Sequence, residues 1–407
     1  MNDERSSFAR VALGFAAFFL LLCSYYILRP VRDEMAVQTG VSRIQWLFTG
    51  TFVATVLTVP LFGWVVKRVP RARLLPGVYA FFIITILIFQ VVFLGGTTLA
   101  MAAAFFIWLS VFNLFVVSLF WSNVSDVFTT AESHRVYGYI AAGGSAGALT
   151  GPAITALLAR HVSTSSLLAI SAVLLAAATA CAAAMRRGAA RRPDQPAPEE
   201  EPIGGSIFAG VWLTWRVISL RGVAFIIIFY TAVSTVLYVE QADVVGRTFA
   251  DTGERTAFFA TIDLAVNGLA LITQIVITRR LVERRGLRTT LAVVPLLVAA
   301  GLSLLGMWRG AFVLAIVQIV HRAGEFSLTR PGREMIFTTV DAESRYKAKN
   351  FIDTTVYRGN DALASWVVAL IRGAGLSAVA LLGIPVAVLW LFTGYRIGRR
   401  HDEHQPA

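Results

Sequence analysis

"VALGFAAFFLLLCSYYILRPVRDEMAVQ", residues 11–38, starts as an unbroken apolar run and then crowds Arg29, Pro30, Arg32, Asp33 and Glu34 into six residues. About 20 mainly apolar residues suffice to cross the ~30 Å hydrocarbon layer of a bilayer. The run lacks a small-residue cleavage site, so it reads as a retained membrane helix over 10–38 rather than a leader. The question it raises is why a hydrophobic helix carries two arginines and two carboxylates around a proline.

Elsewhere the chain is of the same kind. Of its 407 residues, 57% are apolar and 15% charged, and the mean hydropathy is +0.69. A soluble chain carries roughly a quarter charged residues. Apolar stretches recur at 10–38, 44–66, 73–94, 99–127, 134–160, 164–185, 221–246, 255–281, 289–306, 309–337, 344–371 and 375–397. They predict an all-α membrane protein with twelve transmembrane helices. Residues 206–220, with Trp212, Trp215 and Arg216, predict a helix lying at the headgroup level. Cys23 and Cys181 both fall inside apolar spans, so no disulfide framework is expected.

The formal net charge is +12, from 36 Lys and Arg against 24 Asp and Glu. A nucleic-acid surface is one reading of that excess, but the distribution argues for another. Lys67, Arg68, Arg71 and Arg73 follow the second span, Arg279, Arg280, Arg284, Arg285 and Arg288 follow the eighth, and Arg186, Arg187, Arg191 and Arg192 follow the sixth. Basic residues favour the cytoplasmic side. The pattern therefore predicts a multi-pass inner (plasma) membrane protein with both termini in the cytoplasm, a bilayer as its surroundings and no nucleic-acid partner.

"RRGAARRPDQPAPEEEPIGG", 186–205, is rich in charge, Pro and Gly and reads as a linker. The sequence on either side is repetitive. "FTTAES" at 128–133 returns as "FTTVDAES" at 337–344, and basic loops stand at matching places in both halves. The expected organisation is two six-helix pseudo-repeat bundles of the major facilitator type: 1–185, a linker with a surface helix at 186–220, 221–400 and a cytoplasmic tail at 401–407. Such parallel repeats are a transporter architecture. Nothing in the chain reads as a catalytic cluster, a Walker loop or a metal-ligand spacing, so an enzyme, a cofactor and a metal are not expected. The glycines of "AAGGSAGALTG", 141–151, suit close helix packing better than a phosphate loop.

Ionisable residues within membrane spans face a cavity or one another. Arg29, Arg32, Asp33, Glu240, Arg322, Glu325 and Arg358 are the candidates for substrate binding. Asp243, Asp263, Asp353 and Asp361 are candidates for coupling or proton binding. Two readings stand. Arg29 with Asp33, Arg322 with Glu325 and Arg333 with Glu334 neutralise each other, or some arginines receive an anion, which the planar guanidinium fork suits. Pro30 and Pro331 are places for a kink. The repeated FTT segments are expected to form a cytoplasmic gate from Asp126, Glu132, Arg135, Arg333, Glu334, Asp341 and Arg345.

At several of these residues the chain resembles the ATP/ADP translocase (nucleotide transporter) family. "LRPVRD", 28–33, is similar to that family's basic-x-x-basic-Asp signature, Val239-Glu240 to its Val-Glu pair, and "SLFW", 118–121, to its fourth helix. The densest likeness lies in "RAGEFSLTRPGREMIFTTVD", 322–341, and "KAKNFIDTTVYRGNDA", 347–362. The resemblance implies a multi-pass carrier that exchanges nucleotides, with Arg29, Arg32, Glu240 and Arg333 at the matching charged positions. The chain departs from the pattern where arginines replace the lysines of helix one and where "FIWLSVFNLFVV", 106–117, offers Asn113 but no carboxylate.

The expected function is a monomeric secondary active transporter of a small organic anion, with nucleotide or other phosphorylated solute exchange as the specific form. The alternatives are a proton-coupled permease for a different solute and a membrane interaction protein that transports nothing.

Overall fold

In hydrocarbon a backbone must satisfy its own hydrogen bonds, which apolar runs of this length do as helices. The computed structural model describes residues 2–189, 208–341 and 347–404, and these are helices joined by short turns. They are α1 (Asn2–Thr39), α2 (Ile44–Arg68), α3 (Arg71–Leu94), α4 (Leu99–Val127), α5 (Thr130–Leu158), α6 (Thr164–Ala189), α7 (Phe208–Arg216), α8 (Ile218–Thr248), α9 (Thr252–Thr273), α10 (Arg279–Met307), α11 (Ala311–Gly324), α12 (Arg330–Phe337), α13 (Tyr357–Gly373) and α14 (Ile384–His404). The linker expected at 186–205 lies outside the described residues from 190 onward, and α6 runs on through its first four positions.

Among the described residues, ten helical segments are long and apolar enough to cross a membrane, against the twelve expected. The difference has a local cause in one place. Thr252–Met307 forms one run of 56 residues, far longer than one crossing needs. Gly286, at φ +75, breaks it, and the two pieces correspond to the stretches 255–281 and 289–306. The eleventh stretch, 344–371, begins outside the described residues and carries Asp353, Arg358 and Asp361, which dilute its hydropathy. Within the stretch 206–220, for which a surface helix is expected, the structure has the short α7, Phe208–Arg216, with Trp212 and Trp215 exposed.

The described chain divides into two units that are discontinuous in sequence. Unit 1 holds Met1–Thr39, Val53–Pro198 and Phe249–Leu264, and unit 2 holds Gly40–Phe52, Glu199–Thr248 and Ala265–Ala407.

In unit 1, α1 lies directly against α5. A Cβ added at Gly143, Gly147 or Gly151 would fall 2.4, 2.2 or 2.7 Å from the backbone oxygens of Phe15, Phe19 and Cys23. The glycine stretch is thus a seam four residues in period, where only a bare Cα lets the backbones meet. On another face of α1, Ser24 and Ser171 donate to each other's carbonyls at 2.9 and 3.0 Å. Aromatic rings fill the rest, with Phe18 stacked on Phe120 at 4.5 Å and Phe82 edge-on to Phe112 at 5.0 Å.

In unit 2, four π turns stand among the described residues: Gln274–Thr278, Glu325–Thr329, Phe351–Val356 and Val379–Gly383. Pro331 accounts for the second. It lacks an N–H, and the Arg330 N–H turns to the carbonyl of Glu325. The carbonyls of Phe326 and Ser327 thereby lose their helical donors. Gln274 Nε2 donates to Phe326 at 2.9 Å and Thr278 Oγ1 to Ser327 at 2.8 Å. Side chains of one π turn thus satisfy the backbone of another.

Candidate functional site

Within unit 1 the charges quoted at the outset meet α9. Arg29 Nη1 stands 3.3 Å from Asp263 Oδ1, and Asp263 is only 1% exposed. Arg32 instead folds back on its neighbour, donating from Nε and Nη2 to Asp33 Oδ1 at 3.1 and 2.8 Å, with its guanidinium over the Phe106 ring. The expected pair of Arg29 with Asp33 is therefore replaced by two others. Glu34 is wholly buried; it accepts from Gln38 at 2.9 Å and lies 3.7 Å from Arg255. Arg255 escaped the sequence reading because it opens an apolar run, "RTAFFATIDLAV" at 255–266, like any flanking charge.

At the other end of unit 1, Asp126 lies 3.2 Å from Arg71 and 3.4 Å from Arg186. Glu132 and Thr129 form a reciprocal cap at the start of α5, and Arg10 approaches Glu132 at 3.5 Å. Arg135 is exposed. Of the first FTT segment, Asp126 and Glu132 are thus in ion pairs, with partners other than Arg135.

Within unit 2, Glu240 and Asp243 share a cation that the sequence reading missed. Arg372 donates from Nη1 to Glu240 and from Nη2 to Asp243, both at 2.8 Å. It stands just past the eleventh apolar stretch, where a charge reads as a span end. Asp243 also accepts from Arg247 at 3.0 Å. Beyond it, Gln318 donates to Gln241 at 2.6 Å.

Deeper in unit 2, Arg322 and Glu325 are both buried. Glu325 opens a π turn, and Asp353 lies inside another, at Phe351–Val356. Such turns are rare and concentrate at functional sites. Arg333 Nη2 lies 3.4 Å from Asp353, and Lys349 Nζ donates to Glu334 at 2.6 Å. The expected pairing of Arg333 with Glu334 is overturned. Adjacent positions on a helix point about 100° apart, and each residue finds a partner on the segment 347–356 instead. Arg358 lies 3.7 Å from Asp361. Asp341 is exposed, and Arg345 lies outside the described residues.

An aromatic group adjoins these charges. His321 stacks on Tyr230 at 4.8 Å, and Tyr357 and Trp390 approach Tyr230 at 6.2 and 5.7 Å. Spacing along the sequence does not bring these four helices together, so the cluster was invisible there. Arg333 is 3% exposed, and its Nε and Nη1 have no hydrogen-bond partner among the described residues. Oε2 of Glu325 is likewise without one.

The family profile described as Major Facilitator Superfamily matches residues 14–325. No curated protein matches the sequence. Among solved structures, the chain is similar to the nucleoside transporter NupG, at 13% identity over 98% of this chain and 99% of that one, with a TM-score of 0.66. It is similar to the POT family transporter PepTSo at 12% identity, over 97% and 98%, with a TM-score of 0.66. A bacterial homologue of the iron transporter ferroportin, in an inward-facing state, gives 12% identity over 97% and 98% and a TM-score of 0.68. At such identities the likeness speaks for the fold alone.

Proposed function

The chain belongs to the Major Facilitator Superfamily, and on that premise we propose that it carries a small organic anion by alternating access, with exchange of nucleotides or other phosphorylated solutes as the specific form. The observation that carries this reading is Arg333. It is a buried guanidinium that spends one nitrogen on Asp353 and keeps Nε and Nη1 without a partner among the described residues. Unpaired charged donors in a buried site are costly, and a planar pair of them suits a phosphate or carboxylate. Arg29 and Arg32, also in a membrane-crossing helix, add cationic character, and the likeness of residues 28–33 and 322–362 to nucleotide translocases supports the phosphorylated class. The proposal includes two six-helix bundles, 1–185 and 221–400, in the inner membrane, with both termini cytoplasmic and a monomeric carrier.

Counterflow in proteoliposomes tests it. Exchange predicts uptake of labelled nucleotide only when unlabelled nucleotide is loaded inside, with no response to an imposed pH gradient. Uptake that follows the gradient and collapses with a protonophore favours the second reading, a proton-coupled permease. Glu325 supports that reading, being a carboxylate 3% exposed with Oε2 lacking a hydrogen-bond partner among the described residues.

A further inference from the structure

A cavity of about 920 Å³ opens in unit 2 between the turn at Gly286 and the end of α14, lined by both signs of charge. Its shape comes from the turn. Gly286 takes φ +75, and a Cβ there would fall 2.5 Å from Asp402 Oδ2. The bare glycine lets the Asp402 carboxylate reach in and accept from the N–H groups of Leu287 at 2.8 Å and Arg288 at 3.2 Å. The C-terminal segment is thereby fastened to the basic loop.

The charges do not cancel. Glu283 is held by Arg279 at 2.7 Å and Glu403 by Arg399 at 2.8 Å, while Asp402 is committed to backbone donors. All three lining carboxylates are engaged. Arg284, Arg285 and Arg288 also line the cavity, are exposed, and have no ion-pair partner among the described residues. The site lies where α10 and α14 turn from charged to apolar, since Leu296, Leu297, Leu389 and Phe392 farther along both helices are exposed. That places three guanidiniums at the level of lipid headgroups, each a fork for phosphate oxygens.

We propose that this cavity binds the phosphate of an anionic phospholipid headgroup. It is separate from the ion pairs of the transport reading and does not depend on it. A soluble phosphate shares the chemistry, so the test has three arms. Purified full-length protein in detergent is titrated with phosphatidylglycerol, with phosphatidylcholine and with inorganic phosphate. The parent is compared with Arg284→Gln/Arg285→Gln/Arg288→Gln and with Lys67→Gln/Arg68→Gln/Arg73→Gln, which removes the same charge from the other basic loop. The expected result is phosphatidylglycerol affinity about tenfold or more weaker in the first triple variant only, with phosphatidylcholine indifferent throughout. Equal weakening in both triples, or in neither, overturns the site. Loss of an inorganic-phosphate response with no preference for phosphatidylglycerol overturns the lipid assignment. Should the first triple not fold, Arg288→Gln alone carries the same comparison.

Discussion

Arg29 and Asp263 stand 3.3 Å apart inside unit 1, joining α1 to α9 through a pair whose carboxylate is almost wholly buried. Breaking a buried pair by removing one partner costs about 3–5 kcal/mol, because the other charge is left behind. Arg29→Gln is therefore expected to lower the melting temperature of the purified protein strongly. Arg29→Gln with Asp263→Asn should recover much of that loss. Equal melting temperatures in the single and double variants would show that the pair does not act as a unit.

Arg372 spreads over Glu240 and Asp243 with a separate nitrogen for each. Lysine keeps the charge but has no fork. Arg372→Lys should be destabilised by about 1–3 kcal/mol, in the range of a lost charged hydrogen bond, and Arg372→Gln by more. Chemical unfolding in detergent measures both, and a lysine variant as stable as the parent would reduce Arg372 to a point charge.

The seam between α1 and α5 makes a sharper contrast. Gly147→Leu places carbon where the Phe19 oxygen already stands, whereas Gly138 has open space around its Cβ position. Overpacking costs about 1–3 kcal/mol, or more where backbone must move. Folded yield should fall severely for Gly147→Leu and stay at the parental level for Gly138→Ala. Comparable yields would mean that the helices separate easily there.

Gln274 and Thr278 donate to carbonyls that Pro331 leaves open. Polar contacts between membrane helices average about 0.6 kcal/mol. Gln274→Leu with Thr278→Val should cost about 1 kcal/mol in the parent and less in a Pro331→Ala background, where the helix regains a donor. A double-mutant cycle reads the difference, and additivity would sever the link.

Single cysteines placed near Arg71 and Arg285 report topology. If both basic loops are cytoplasmic, an impermeant thiol reagent should label neither in intact cells and both in inverted vesicles. Labelling from outside would reverse the orientation.

How much was legible depended on range. Helix α4 appears where its apolar run predicted it, Leu99–Val127, since length and hydropathy decide a span. The glycine seam was legible because its period is local. Charge pairing was not. Arg29 and Asp33 share a face by spacing, yet Arg29 pairs with Asp263, more than two hundred residues away. Arg333 passes over its neighbour Glu334 for Asp353. A pattern that repeats along one helix says which side chains stand together on it, and nothing about what the next helix brings opposite. Arg255 and Arg372 were missed for the same reason: at the edge of an apolar run, a paired arginine reads like a solvated one.

The π turn at Glu325–Thr329 has a consequence for phase. It accommodates one residue more than an α turn would, so every residue beyond it is rotated by about 100° from where an uninterrupted helix would put it. Arg333 lies beyond that point, and Asp353 sits inside a second such turn. Their 3.4 Å approach is thus a matter of angular register as well as of chemistry. A helix that closed the first turn into regular α geometry would swing Arg333 away from Asp353 without moving the helix axis, exchanging which of its faces carries positive charge.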